Sequence, residues 1–191
     1  MGRVSHGIAV GGRPLNEIVR QHPMATSRPW LWWFLVVFFL WSVGKDFQLM
    51  ITHQRGVDFY IFDQRGWSGL FFAFMSASFL LDFGASFALF RPSAKGFWVC
   101  LAALALGMVY NVIALNLALS DLEGVKNAYI AGRELRGFPA NLEAATRIFT
   151  PEGIKASVLV SAFFGLIAIG AVIVIRQYFF GVPSQKDEDA V

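Results

Sequence analysis

Polar residues along this chain gather in patches separated by long apolar runs. The clearest run begins at Trp30 and passes Leu40 into "WSVGKDFQLM", residues 41–50. Residues 30–40 alone cannot cross a bilayer, which takes ~20 residues at ~1.5 Å each. A spanning helix therefore has to continue through Lys45 and Asp46. Three further runs of similar length follow. The predicted spans are 29–51, 67–90, 96–119 and 154–176, each close to the length that hydrocarbon demands.

The connections differ in kind. "RPSAKG", residues 91–96, is a tight turn with two cations. The loops 52–66 and 120–153 are longer. The first contains "THQRGVDFYIFDQRGW", whose loosely alternating apolar centre at 57–62 reads as a short hairpin or a segment lying on the headgroups. In the second, Ser120 and Glu123 have capping-box spacing, in which hydroxyl and carboxylate satisfy reciprocal backbone N–H groups. Leu122, Val125 and Tyr129 then share one helical face, Pro139 ends that piece, and "NLEAATRIF" supplies a second amphipathic turn. "TPEG" opens the last span, with Thr150 as N-cap and Pro151 in the first helical position, the place where a missing N–H costs nothing.

The predicted fold is an all-α integral membrane protein: an antiparallel four-helix transmembrane bundle, 29–176, with short amphipathic helices in the outer loop. Tails 1–28 and 177–191 flank it. The two halves show no similarity to each other, so an inverted-repeat transporter is not indicated.

Composition narrows the class. Hydrophobic residues make up 56% and charged residues 15%, against about a quarter charged in soluble domains. The net charge of +3 lies mainly in the N-terminal tail, where Arg3, Arg13, Arg20 and Arg28 face a single acid, Glu17. Attraction to anionic headgroups explains this tail, whereas nucleic-acid binding needs a larger basic surface. Short loops rich in Lys and Arg stay cytoplasmic, which places the 91–96 turn and both termini on that side of a bacterial inner membrane. An arginine-rich start is also compatible with a mitochondrial presequence, and it matches neither a cleaved signal peptide nor a myristoylation pattern. Trp30, Trp32, Trp33 and Trp98 are expected at the inner interface and Trp67 at the outer one. Trp41 is expected to pack deeper.

Catalytic residue types are scarce. His6, His22 and His53 all fall outside the spans. No HxxxH, HExxH, GxSxG or Walker A pattern occurs, so neither a metal nor a cofactor is expected. One cysteine, Cys100, excludes an internal disulfide and reads as a small apolar packing residue.

What remains is polar chemistry inside the spans, where each charge costs at least ~2.5–3.5 kcal/mol near the centre. Asp82 lies ~22 Å into its helix, with Ser78 and Ser86 one turn either side on the same face. It reads either as a proton- or cation-binding carboxylate or as a hydrogen-bonded packing element. Lys45 is expected to snorkel outward, and Asn111 on the third helix comes to nearly the depth of Lys45 and Asp46. A pairing of Lys45 with Asp82 would stretch the side chain by about 10 Å along the membrane normal. Small residues mark the seams: Ala103, Gly107, Asn111, Ala114 and Ala118 on the third helix, and Ser157, Ser161, Gly165 and Ala168 on the fourth.

Three function classes follow. A non-catalytic accessory or assembly protein, binding another membrane protein or a second copy within the lipid bilayer, ranks first. A small transporter or channel built on Asp82, Lys45 and Asn111 is the alternative. An intramembrane enzyme comes last, since it lacks a residue set. One expectation is directly measurable. A Lys45→Cys variant reacts readily with an impermeant thiol reagent if position 45 reaches outer water, and stays unlabelled if it faces the interior.

Overall fold

A computed structural model describes residues 29–53, 56–139 and 142–180. Both ends of the chain, with the tail arginines, Glu17, His6 and His22, lie outside the described residues. The elements in order are α1 (Pro29–Ile51), α2 (Val57–Asp63), α3 (Ser68–Phe90), α4 (Ala94–Ser120), α5 (Leu122–Glu134), α6 (Leu142–Ile148), α7 (Pro151–Val174) and α8 (Arg176–Phe180). Four of them, α1, α3, α4 and α7, are long and apolar enough to cross a membrane. Their apolar residues run round the whole circumference, as expected for helices with protein on one side and hydrocarbon on the other. Among the described residues the fold is all-helical, and its four long apolar helices are of the kind that a multi-pass membrane protein carries.

The long helices pack in chain order, with α1 on α3, α3 on α4 and α4 on α7. Trp32, near the start of α1, donates to the Leu89 carbonyl near the end of α3 at 3.0 Å, while Met50 near the end of α1 meets Ser76 in α3. Tyr178 of α8 donates to the same Leu89 carbonyl at 2.6 Å. That carbonyl belongs to the last turn of α3, where intrahelical partners run out. One orphan acceptor thus ties together the start of α1, the end of α3 and the chain after α7.

Two dry cores result. One joins Leu35, Phe39, Leu89, Cys100, Leu104 and Val172 at the Leu89 end. The other joins Phe62, Phe71, Met75, Leu117 and Val125 at the far end. Cys100 is fully buried in the first, as its apolar setting predicts.

The helix starts depart from expectation in one place. Thr150 caps α7 through the Gly153 amide at 3.0 Å, with Pro151 opening the helix, as predicted. The Ser120–Glu123 capping box does not form. Ser120 ends α4 by donating to the Leu117 carbonyl, and Asp121 caps α5 through the Gly124 amide at 2.9 Å. A carboxylate next in line offers the stronger acceptor to the same group of orphan amides. Gly124 is required here, because a Cβ would collide with the Tyr60 hydroxyl and the Asp121 carboxylate.

Segment 57–62 is helical, not a hairpin. Its Ile61 and Phe62 are buried in the far core, and Gly66, with φ 71°, turns the chain into α3. Trp41 is 76% exposed and does not pack inside the chain. The buried face of α1 runs through Leu35, Phe39 and Asp46, and Trp41 lies about 130° round the helix from it.

Tyr60 of α2 donates to Asp121 at 2.8 Å, clasping α2 to the start of α5. The Gly124 amide and then the Tyr60 hydroxyl hold the Asp121 carboxyl below its ordinary 3.8. The hydrogen bond to Asp121, then desolvation, pushes the Tyr60 phenol above its ordinary 10.0. A depressed acid contributes stability above its unfolded pKa and loses it as pH falls through the folded one. A raised phenol contributes below its unfolded pKa and loses it as pH rises through the folded one.

Two measurements check these contacts. The stability gap between the native chain and Tyr60→Phe should stay constant from about pH 5 to 9 and shrink toward both extremes; a gap independent of pH would show that the clasp is not made. Tyr178→Phe should cost about 0.5–1 kcal/mol in detergent, since Leu89 keeps its bond from Trp32. An unchanged melting temperature would remove Tyr178 from the tether.

Candidate functional site

Between the two dry cores lies a polar layer at mid-length of the long helices. The face of α1 that buries Leu35 and Phe39 continues at the same spacing to Ser42 and Asp46. On α3 the face carrying Phe71 and Met75 continues to Ser78 and Asp82. Gly107, Tyr110 and Asn111 come from α4, and Ser161 and Gly165 from α7. These side chains line a partly open cavity of about 110 Å³, well above the ~10–15 Å³ that admits one water.

Asp46 is 2% exposed and Asp82 6% exposed. Ser78 lines the same cavity close enough to influence both, and the two carboxylates are close enough to act on each other electrostatically. The pairings of Trp32 with Leu89 and Met50 with Ser76 explain why. They set Asp46 level with Ser78, one turn from Asp82. Depths counted along isolated straight helices separate Asp46 and Asp82 much further than this register does. Asp82 is therefore not a solitary intramembrane acid.

The Oδ2 atom of Asp46 is buried and has no hydrogen-bond partner. Neither carboxylate is in an ion pair. Among the described residues the ion pairs are Lys126–Glu123 and Arg147–Glu143, both outside the long helices. Lys45 is exposed yet reaches the cavity wall. It lies about 90° round α1 from the buried face, so its charge acts on both acids without direct contact.

Asn111 does not bond Lys45 or Asp46. Its amide donates to Ser161 on α7 at 3.0 Å, because the α4–α7 seam of small residues brings Ser161 closer to it than either α1 group. Ser86 also stands apart. It is buried and donates to the backbone carbonyl of Asp82 at 2.9 Å, one turn back in its own helix, and does not line the cavity. Among the seam residues, Ala103, Gly107, Ser161 and Gly165 line the cavity, and Gly165 lies against Met108. Ala114 lines a second cavity.

That second cavity, about 270 Å³, lies between α2, α4, α5 and α7. Tyr110, Asn111 and Ser161 belong to both linings and form the wall between them. Tyr110 donates to Asp58 of α2 at 3.0 Å and stacks on Phe62, with ring centres 5.9 Å apart. Ser42, Tyr110 and Asp58 were not among the residues singled out by sequence. Ser42 and Asp46 follow Leu35 and Phe39 at spacings of 4, 3 and 4, which is a readable signal. Asp58 was hidden by the hairpin reading of its segment.

Among the described residues no three His, Cys, Asp or Glu side chains converge as a metal site. The layer offers two carboxylates, hydroxyls and an amide, an oxygen-rich set suited to holding a proton or a hard cation. No family model, curated protein or solved structure matches the chain.

If Asp46 carries an unpaired charge, Asp46→Asn keeps the shape and removes its cost. In buffer free of sodium and potassium, the purified variant should melt at the same temperature as the native chain or a few degrees higher. A clear drop would show that a partner holds the charge.

Proposed function

We propose that the protein is a small membrane transporter or channel that binds a proton or small cation in the cavity between Asp46 and Asp82. The observation that carries this reading is the orphaned Oδ2 of Asp46, buried beside a second carboxylate in a cavity with room for a guest. A charge at the centre of a spanning helix costs at least ~2.5–3.5 kcal/mol on insertion scales, a figure that bears most on Asp82, since Asp46 lies nearer the end of α1. Unpaired carboxylates kept at that cost favour a functional role over packing.

In this reading the four long helices form an antiparallel bundle in a bacterial inner membrane, with both termini cytoplasmic and α2, α5 and α6 at the outer face. The cationic turn at 91–96 supports that orientation. The larger cavity serves as a vestibule, and the Tyr110–Asn111–Ser161 wall separates it from the binding cavity. Tyr110, bonded to Asp58 of α2, couples movement of the outer cover to the wall.

A second reading has its own support. Leu135, Phe138 and Leu142 are 56–64% exposed around the α5–α6 connection, outside the long helices. Such a patch suits the interfacial layer of the membrane or a partner membrane protein, which is the accessory or assembly role. Neither reading assigns an enzymatic reaction.

The transport reading predicts proton or cation flux in reconstituted vesicles that falls at least tenfold in Asp82→Asn, with expression and melting temperature nearly unchanged. Equal flux in native and variant chains would remove Asp82 from the path. The accessory reading predicts that the triple change Leu135→Gln, Phe138→Gln, Leu142→Gln releases a partner that co-purifies with the native chain in mild detergent. A partner retained by the variant would acquit that patch.

A further inference from the structure

The occupant of the cavity can be narrowed by counting charge and ligand atoms. Building on the cation-binding reading above, we propose that the Asp46–Asp82 cavity binds one monovalent alkali cation, and not merely a proton.

The charged groups that face the cavity are Asp46 and Lys45 on α1 and Asp82 on α3. Asp58 on α2 lies beyond Tyr110, which is neutral and already donates its hydroxyl to Asp58. The cavity lining from α7 holds only Ser161 and Gly165 and adds no charge. With both carboxylates ionised, two acids against one lysine leave the site one positive charge short. A monovalent cation makes up that difference, whereas a divalent ion overshoots it in a low-dielectric setting where each unbalanced charge is costly.

Ligand chemistry points the same way. A proton needs one carboxylate oxygen and no space. This cavity offers more: Asp46 Oδ2 without a partner, the second carboxylate of Asp82, and the hydroxyls of Ser42 and Ser78. The Asn111 amide nitrogen is engaged by Ser161, which leaves its carbonyl oxygen as a further acceptor on the wall. Hard cations take several such oxygens and complete their shell with water. A cavity of about 110 Å³ accommodates an ion with part of its water shell.

The test is equilibrium binding of radiolabelled sodium, and separately of rubidium as a potassium surrogate, to the purified full-length protein in detergent, with choline holding ionic strength constant. Saturable binding of either ion at one per chain is expected, weakened at least tenfold in Asp46→Asn and in Asp82→Asn. Asp46→Glu keeps the charge but moves the oxygens, and should bind measurably though more weakly than the native chain. Circular dichroism and gel filtration check that each variant is folded. A variant that does not fold is set aside, and Asp46→Glu then carries the comparison.

No saturable binding of either ion to the native chain would overturn the inference. If vesicles still show proton flux that depends on Asp82, the broader reading survives and the occupant is a proton. If they show neither binding nor flux, both fall. Undiminished binding in folded Asp46→Asn and Asp82→Asn would place the ion elsewhere and equally overturn it.

Discussion

Everything in this molecule is arranged round a pair of carboxylates on the packed faces of two apolar helices. A buried carboxylate demands hydrogen bonds, a counter-charge or a guest, and hydrocarbon supplies none of them. Asp46 and Asp82 share Ser78 and feel the charge of Lys45 from a distance. That leaves Asp46 Oδ2 without a partner, and small and polar residues from the other long helices shape the space around it. Gly107 and Gly165 leave space where larger side chains would close the layer, and the Asn111–Ser161 bond ties α4 to α7 at the same level. The two apolar cores lie on either side of this layer along the helices.

Those cores are held by few polar contacts, placed where helix ends leave backbone groups unsatisfied. At one end the Leu89 carbonyl accepts from Trp32 and Tyr178. At the other, α2 is inserted between the long helices, anchored by Phe62 in the core and by Tyr60 and Asp58 to α5 and α4. The two ends differ in character. The Leu89 end is knotted by one carbonyl into a compact joint, whereas the α2 end borders the larger cavity and is latched by side chains alone.

The long helices were legible because apolar runs of this length admit one explanation, and the proline and threonine at the start of α7 fixed its first turn. Loop structure was less so. Residues 57–63 alternate weakly, and their helical form depends on burying Ile61 and Phe62 against α3 and α4, a tertiary reason with no local signature. The capping error at Ser120 was local: two adjacent cap-forming residues compete, and sequence alone does not say where α4 stops. For the site, Asp82, Ser78, Lys45, Asp46 and Asn111 could be named from their positions in apolar runs. Their grouping could not, because it depends on the register of α1 against α3. A one-turn offset decides whether Asp46 comes level with Ser78 or with Asp82. Tyr110 escaped notice because a tyrosine in an apolar helix has many uses, and only its bond to Asp58 marks it.

The central claim is that Asp46 and Asp82 share one cavity between the long apolar helices. Its most direct test is labelling of the protein in native membranes with a hydrophobic carbodiimide, which reaches carboxyl groups through the lipid phase, followed by peptide mapping. The account predicts modification at Asp46 or Asp82, and a single label per chain because the first adduct fills the cavity. Double labelling of both acids in one chain, or labelling confined to surface acids such as Glu123 and Glu152, would contradict it.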